Sequence, residues 1–321
     1  MRTRASKRSW KNANQFGDTA RKMDRRAKNM KSKIQFFICV ICLSLFFAPD
    51  SRAQKTSHSH ASMSAETNAL IDSAIGVVCT QAKLDPQSSI PIDDMQARPS
   101  LPVQSPEAQA GAERAQRLLS QAKALMISSL RQLVTDYGLD KSPRFEKRLL
   151  QATARVNAVK RVRPDMDSRD NASVFLSKPH MITFGTIFLA GLRSDEGMIS
   201  VLAHELMHIA DGDSDSLRPL VTAVGAKASD LTGLDIRGQR GEEITCDLIG
   251  AMAARAYVAS NPGYESIARR LSRSIQHNCV AQDEGDDDHL SPRNTIKALL
   301  ALNPVLVREL LTDREDRTRK P

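Results

Sequence analysis

Two histidines stand four residues apart in an otherwise apolar stretch, Gly197 to Ala210 (GMISVLAHELMHIA), with Glu205 directly after the first. The apolar positions recur at helical spacing, so the stretch reads as a buried helix, and a four-residue separation puts both imidazoles on one face. Two imidazoles and a carboxylate are costly in such surroundings unless they bind something. His204-Glu205-Leu206-Met207-His208 is the H-E-x-x-H pattern, in which both imidazoles hold one Zn²⁺ and Glu205 is placed to act as general base on a water. A chain built around it must carry a polar site in its core and bring a further ligand from elsewhere.

A catalytic zinc site takes a third protein ligand and keeps its fourth position open. Glu243-Ile244-Thr245-Cys246-Asp247 starts another helix and puts Glu243 and Asp247 on one face. Glu243 is the expected third ligand. Asp247, one turn along, is expected to accept the remaining N–H of a ligating imidazole and hold its tautomer. Glu242 competes as a ligand, but it has no acid four residues on and is expected to face solvent. His180, His277 and the acids from Asp211 to Asp215 read as strand-edge, helix-surface and loop residues.

The formal charge of +9 suggests nucleic acid until it is divided along the chain. Residues 1 to 53 hold 13 Lys and Arg against three Asp, and the other 268 residues hold 33 basic and 34 acidic groups, a net of −1. A nucleic-acid partner is therefore not expected. The basic segment continues into an apolar run from Ile34 to Ala48 and a small-residue site, Ser51-Arg52-Ala53, which together read as a signal peptide cleaved near Ala53. Fifteen residues are short for a membrane span, which needs about 20. The expected location is periplasmic or secreted, soluble or loosely membrane-associated, with an uncleaved inner-membrane anchor as the alternative.

Aromatic residues make up only 4% of the chain, which favours helices over an aromatic-rich β-sandwich. The domain reading is 1–53 signal peptide with a long basic n-region, 54–111 N-terminal helix and Pro-rich linker, and 112–321 the domain that bears the motif. Helical periodicity predicts helices over 66–83, 107–136, Pro143 to Val156, Gly197 to Ala210, Glu242 to Ala259, Pro262 to Gln276 and from Pro292 to Leu311. Short β-branched runs at Val159 to Val162, Ser173 to Leu176 and Met181 to Ile187 predict three strands. Five Gly and a Pro make 212–241 a loop with a short helix in Leu217 to Ala228. Of the exported cysteines, Cys246 reads as a buried thiol and Cys79 with Cys279 as the pair to test for a bridge.

Asn171-Ala172 before a short strand, His204-Glu-x-x-His208, Glu243-x-x-x-Asp247 followed by Gly250, and a late His289 before a helix together resemble the HtpX-like and CAAX-prenyl-endopeptidase-like gluzincin metallopeptidases. The resemblance covers roughly Ala152 to Leu302 and is greatest to the soluble, exported BepA-like branch. This chain has His289-Leu290 where the family typically has His-Pro, and Thr295 where it has Arg. The segment joining the two motif helices is also shorter here. The resemblance implies a mainly helical α+β fold, a zincin-type domain with a small sheet whose edge strand lies beside the metal. It implies one Zn²⁺ per chain, polypeptide substrates and hydrolysis of peptide bonds, with envelope protein quality control as the setting. His289 is a candidate donor to the carbonyl oxygen if the late loop folds over the site. The strand Met181 to Ile187 is a candidate edge for an extended substrate. The competing reading is a non-catalytic, zinc-containing chaperone-like binding protein, which would have no need of Glu205 as a base.

Overall fold

The computed structural model describes residues 68–76, 99–175, 177–192, 194–212, 216–261, 285–305 and 307. These belong to one compact unit, Ser59–Pro321; the other unit, Met1–His58, lies outside the described residues. The signal-peptide reading, Cys79, Cys279 and the helix expected over Pro262 to Gln276 also lie outside them.

Three helices begin with the same dipeptide. Ser105-Pro106 opens α1 (Pro106–Asp136), Ser142-Pro143 opens α2 (Pro143–Ala158), and Ser291-Pro292 opens a late helix, α7 (Pro292–Leu302). In each, the serine hydroxyl accepts an N–H of the first turn, and proline stands where no intrahelical donor is needed. The stripe expected on α1 is buried, with Ala115, Ala122, Met126 and Leu130 fully excluded from water. Each large side chain so buried contributes about 1.5–3 kcal/mol. Tyr137 caps α1, and Gly138, at φ 66°, turns the chain away.

The sheet is small and mixed, with strands β1 (Arg161–Asp165), β2 (Ala172–Val174) and β3 (Met181–Gly185) in the order β1-β3-β2. β1 pairs parallel with β3 from Arg161 against Met181, and β2 pairs antiparallel from Ala172 against Phe184. β3 is therefore central and buried along its whole length. The strand expected over Met181 to Ile187 cannot take a substrate strand, because both of its edges are occupied. The outer edge of β1 is covered from α1, where the Gln116 side chain accepts the Val162 N–H at 2.9 Å and donates to the Lys160 carbonyl at 3.3 Å. Pro164 sits in this same edge strand, where a missing donor costs least. β2 is the other edge strand of the sheet.

A short helix, α3 (Thr186–Gly191), follows β3 directly. It is followed by α4 (Asp195–Asp211), the motif helix, which is capped by Ser194 through the Gly197 N–H at 3.1 Å and carries Asp195 and Glu196 in its first turn. Met198, Ile199, Leu202, Ala203, Leu206 and Met207 are buried on several of its faces, as the apolar composition of the segment requires. α5 (Arg218–Thr232) and α6 (Gln239–Ala259) complete the body. α4 packs most extensively on α6 and α1, placing the two motif-bearing helices side by side at the centre. The described unit is thus mainly helical with a three-stranded mixed sheet. None of its described helices is long and apolar enough to cross a membrane.

Candidate metal centre

α4 and α6 meet at a close crossing. A Cβ at Gly250 would stand 2.7 Å from the Ser200 carbonyl oxygen, so only glycine lets α6 approach the α4 backbone this tightly. The acids at the start of α6 are thereby brought onto the face of α4 that bears His204 and His208. The other end of α4 is held by Arg155 of α2, whose Nε donates to the Ile209 and Ala210 carbonyls at 3.1 Å each. Its Nη2 donates to the Asp211 carbonyl at 3.1 Å and to Ser216 Oγ. A guanidinium there satisfies carbonyls that the helix end leaves open and complements its dipole.

The two Nε2 atoms of His204 and His208 are 3.2 Å apart. Glu243 lies across from them, with Oε2 3.4 Å from His204 Nε2 and Oε1 3.6 Å from His208 Nε2. On the far side of each ring, Nδ1 meets a carboxylate: Asp247 Oδ1 at 2.8 Å from His204 and Glu242 Oε1 at 2.8 Å from His208. An ionised carboxylate has no proton to donate, so both Nδ1 atoms carry the N–H. Neutral rings then turn two lone pairs toward each other and toward a carboxylate, an arrangement that repels itself unless positive charge lies between them.

A metal ion is one source of that charge, and protons are the other. Burial opposes charge on His204, yet its hydrogen bonds to Asp247 and Glu243 outweigh burial and raise its pKa well above the ordinary imidazole value. Burial likewise lowers His208, and the neighbouring Cys246 sulfur, Glu242 and Glu243 raise it by more. Burial raises Glu243, but hydrogen bonds from the two histidines pull its carboxyl well below the usual range. Glu205 is shifted upward by burial, against the pull of the two imidazoles.

The donors fit an ion. Ligands about 2.0–2.2 Å from one tetrahedral ion lie about 3.3–3.6 Å from one another, close to the separations among the two Nε2 atoms and the Glu243 oxygens. His204, His208 and Cys246 also form a group that can hold a metal ion, with one donor atom from each lying within 4.8 Å of the others. The Cys246 sulfur, however, is 3.7 Å from His208 Nδ1, the nitrogen on the side of Glu242. The thiol is fully buried, as expected from sequence, and burial raises its pKa.

A cavity of about 460 Å³ opens over the cluster, lined by Asn171 to Val174 of the β2 segment, by Glu205 and by His289. Glu205 is otherwise buried, at 6% exposure. His289 arrives on a turn closed by the bridge between Gly285 and Leu290. Asp286 Oδ1 accepts the backbone N–H of Asp288 at 2.8 Å and of His289 at 2.6 Å, and the Arg240 guanidinium donates to the Asp286 carbonyl. His289 Nε2 thereby stands 3.8 Å from Glu243 Oε2 while 60% of its side chain stays exposed.

The structure brings His204, Glu205, His208, Glu243, Asp247 and His289 together around one cavity or directly behind it. It corrects the expectation for Glu242, which does not face solvent but accepts from His208. Acids at 242 and 243 lie about 100° apart around α6, and the crossing with α4 lets each meet a different nitrogen of the same ring. His180 is exposed in the turn before β3, away from the cluster. Comparison with protein-family models, with curated proteins and with solved structures finds no match for the chain.

Proposed function

We propose that the chain is an exported zinc endopeptidase of the gluzincin kind, hydrolysing peptide bonds in polypeptides. One observation carries the reading: the two Nε2 atoms and the Glu243 carboxylate converge at 3.2–3.6 Å, with a buried carboxylate, Glu205, on the same cavity. His204, His208 and Glu243 would hold one Zn²⁺ per chain. When bound, the ion supplies a Lewis acid that polarises water and the scissile carbonyl. Glu205 takes the proton of the attacking water and returns it to the leaving amine. Asp247 and Glu242 fix the Nδ1 protons, so both Nε2 lone pairs stay turned to the centre. Cys246 lies on the Nδ1 side of His208 and serves as packing behind the ligands. His289, open to the cavity, donates to the carbonyl oxygen.

An extended substrate would add along the outer edge of β2, whose backbone borders the same cavity. The signal-like leader makes the periplasm or the exterior the place of action, with envelope proteins as the substrate class the family resemblance suggests. Metal analysis of the mature chain with a casein assay on wild type and Glu205→Gln tests the proposal. One zinc per chain, with turnover lost in the variant, supports it. Zinc without turnover in the wild type would point to the chaperone-like binding protein, and no zinc in the wild type would end both readings.

A further inference from the structure

Beside the metal cavity lies a larger one of about 1090 Å³, and the two share Asp211, Gln239 and Glu242 as common wall. One side of the larger cavity is the polar face of α5, where Arg218, Thr222, Ala226 and Asp230 recur every four residues and all are exposed. A second side is the 233–238 loop, and Asn68 of the helical stretch at 68–76 closes part of a third. That stretch is itself seated, with Ile71, Ala74 and Ile75 buried.

The loop is built to stand away from the space it borders. Ile236 is fully buried and its N–H donates to Ser229 Oγ at 3.0 Å. Gly225 permits this, since a Cβ there would meet the Ile236 carbonyl oxygen at 2.5 Å. Gly233 at φ 73° and Gly238 at φ 57° turn the chain at both ends of the loop. Pinned at its middle and turned at its ends, the segment forms a wall.

The volume is at the upper limit of small-ligand pockets, which run about 300–1,000 Å³ and are lined mainly by apolar and aromatic groups. Here apolar Val221, Leu231 and Leu234 alternate with charged groups of both signs, among them Arg218, Arg237, Asp230 and Asp235, and none of the described lining residues is aromatic. Such walls suit the alternating donors and acceptors of a peptide backbone over several residues better than one kind of side chain. Gln239 and Glu242 border both spaces, so a chain lying over them would reach from one into the other.

We infer that this cavity receives the substrate polypeptide on one side of the scissile bond, so the site takes unfolded chains several residues longer than the metal cavity alone can hold. The inference rests on the endopeptidase reading, which it deepens. The test uses the full chain carrying Glu205→Gln and fluorescent, reduced and carboxymethylated casein, with binding read by anisotropy. Ala226→Trp and Thr222→Trp each set a ring into the cavity from α5, while Lys227→Trp adds the same ring on a different part of that helix, outside the cavity. The expected result is a Kd raised at least about tenfold by either cavity variant and held within about twofold by Lys227→Trp, with zinc content unchanged in all three and the unfolding temperature unchanged in the cavity variants. Because both cavity positions are exposed, one variant that misfolds leaves the other to decide. The inference is overturned if the folded cavity variants bind casein as tightly as their parent, if Lys227→Trp weakens binding as much, or if the parent binds none. A wild type that cleaves nothing would defeat the endopeptidase reading separately, because the binding contrast is measured on the inactive chain.

Discussion

Glu242 and His208 are joined at 2.8 Å through Nδ1, so the residue beside Glu243 fixes the ring whose other nitrogen faces Glu243. Asp247 does the same for His204. Each carboxylate holds one tautomer and makes the opposite nitrogen a better donor to a metal. Glu242→Gln and Asp247→Asn can each present an amide oxygen to the N–H but lose the charge. Each is expected to weaken zinc binding by about 10–100-fold without unfolding the chain, measured by competition with a chromophoric chelator. Unaltered affinity in both variants would mean that these carboxylates are bystanders.

Glu205 differs from them in touching no ring nitrogen. It borders the metal cavity from the motif helix, and burial favours its protonated form more than in water. Glu205→Gln is nearly isosteric and removes the proton-accepting group. The expected outcome is full zinc occupancy with kcat down by roughly a hundredfold or more, the scale of a general base. Peptidase turnover at the wild-type rate in a fully loaded variant would remove Glu205 from the chemistry.

The two motif helices were legible because their signal is local: H-E-x-x-H and Glu243 with Asp247 are four-residue spacings on helices, and the apolar period around them is strong. Glu242 was misread because its partner is set by how α6 crosses α4, which no spacing within α6 encodes. The position of β3 failed for a similar reason. Its apolar run signals a strand, but being central depends on pairing with β1 and β2 across the chain. Thr186 to Gly191 continues that β-branched and aromatic run yet forms a helix. The short helix expected in Leu217 to Ala228 is α5, which runs on to Thr232 before Gly233 ends it, and Gly225 within it serves close packing against Ile236.

Tyr137 supplies a stability prediction away from the site. Burial first, and the charge of Asp136 second, push its hydroxyl up to about 12, and Lys227 lies 5.3 Å over its ring. In the unfolded chain the same group ionises near pH 10. The folded state therefore holds the proton more tightly, and its contribution is complete below about pH 10 and is lost as pH rises toward 12. The ring is only half-buried, so the slope is shallow. Tyr137→Phe is expected to flatten it, seen as a smaller difference between denaturant midpoints at pH 9 and pH 11.5 than in the wild type. Equal slopes in the two proteins would show that the hydroxyl does not titrate with unfolding.

Gly250 links the fold to the centre most directly. In an exposed helix interior, Gly→Ala favours the helix by about 1 kcal/mol. At Gly250 the added methyl would instead meet the Ser200 carbonyl oxygen at 2.7 Å and its hydroxyl at 3.1 Å. The nearer atom is backbone, so relief requires α6 to move away from α4. Overpacking of this kind costs about 1–3 kcal/mol, enough to cancel the propensity gain and leave the chain less stable. Metal–ligand distances hold to within about 0.2 Å, and in the proposed centre Glu243 would travel with α6 while both histidines stay on α4. Gly250→Ala is therefore expected to lower the unfolding temperature by several degrees and to weaken zinc binding by at least about tenfold. Gly250→Ser should do the same with a similar or larger drop. A Gly250→Ala chain that melts higher and binds zinc as before would show that the two motif helices do not depend on this contact for their spacing.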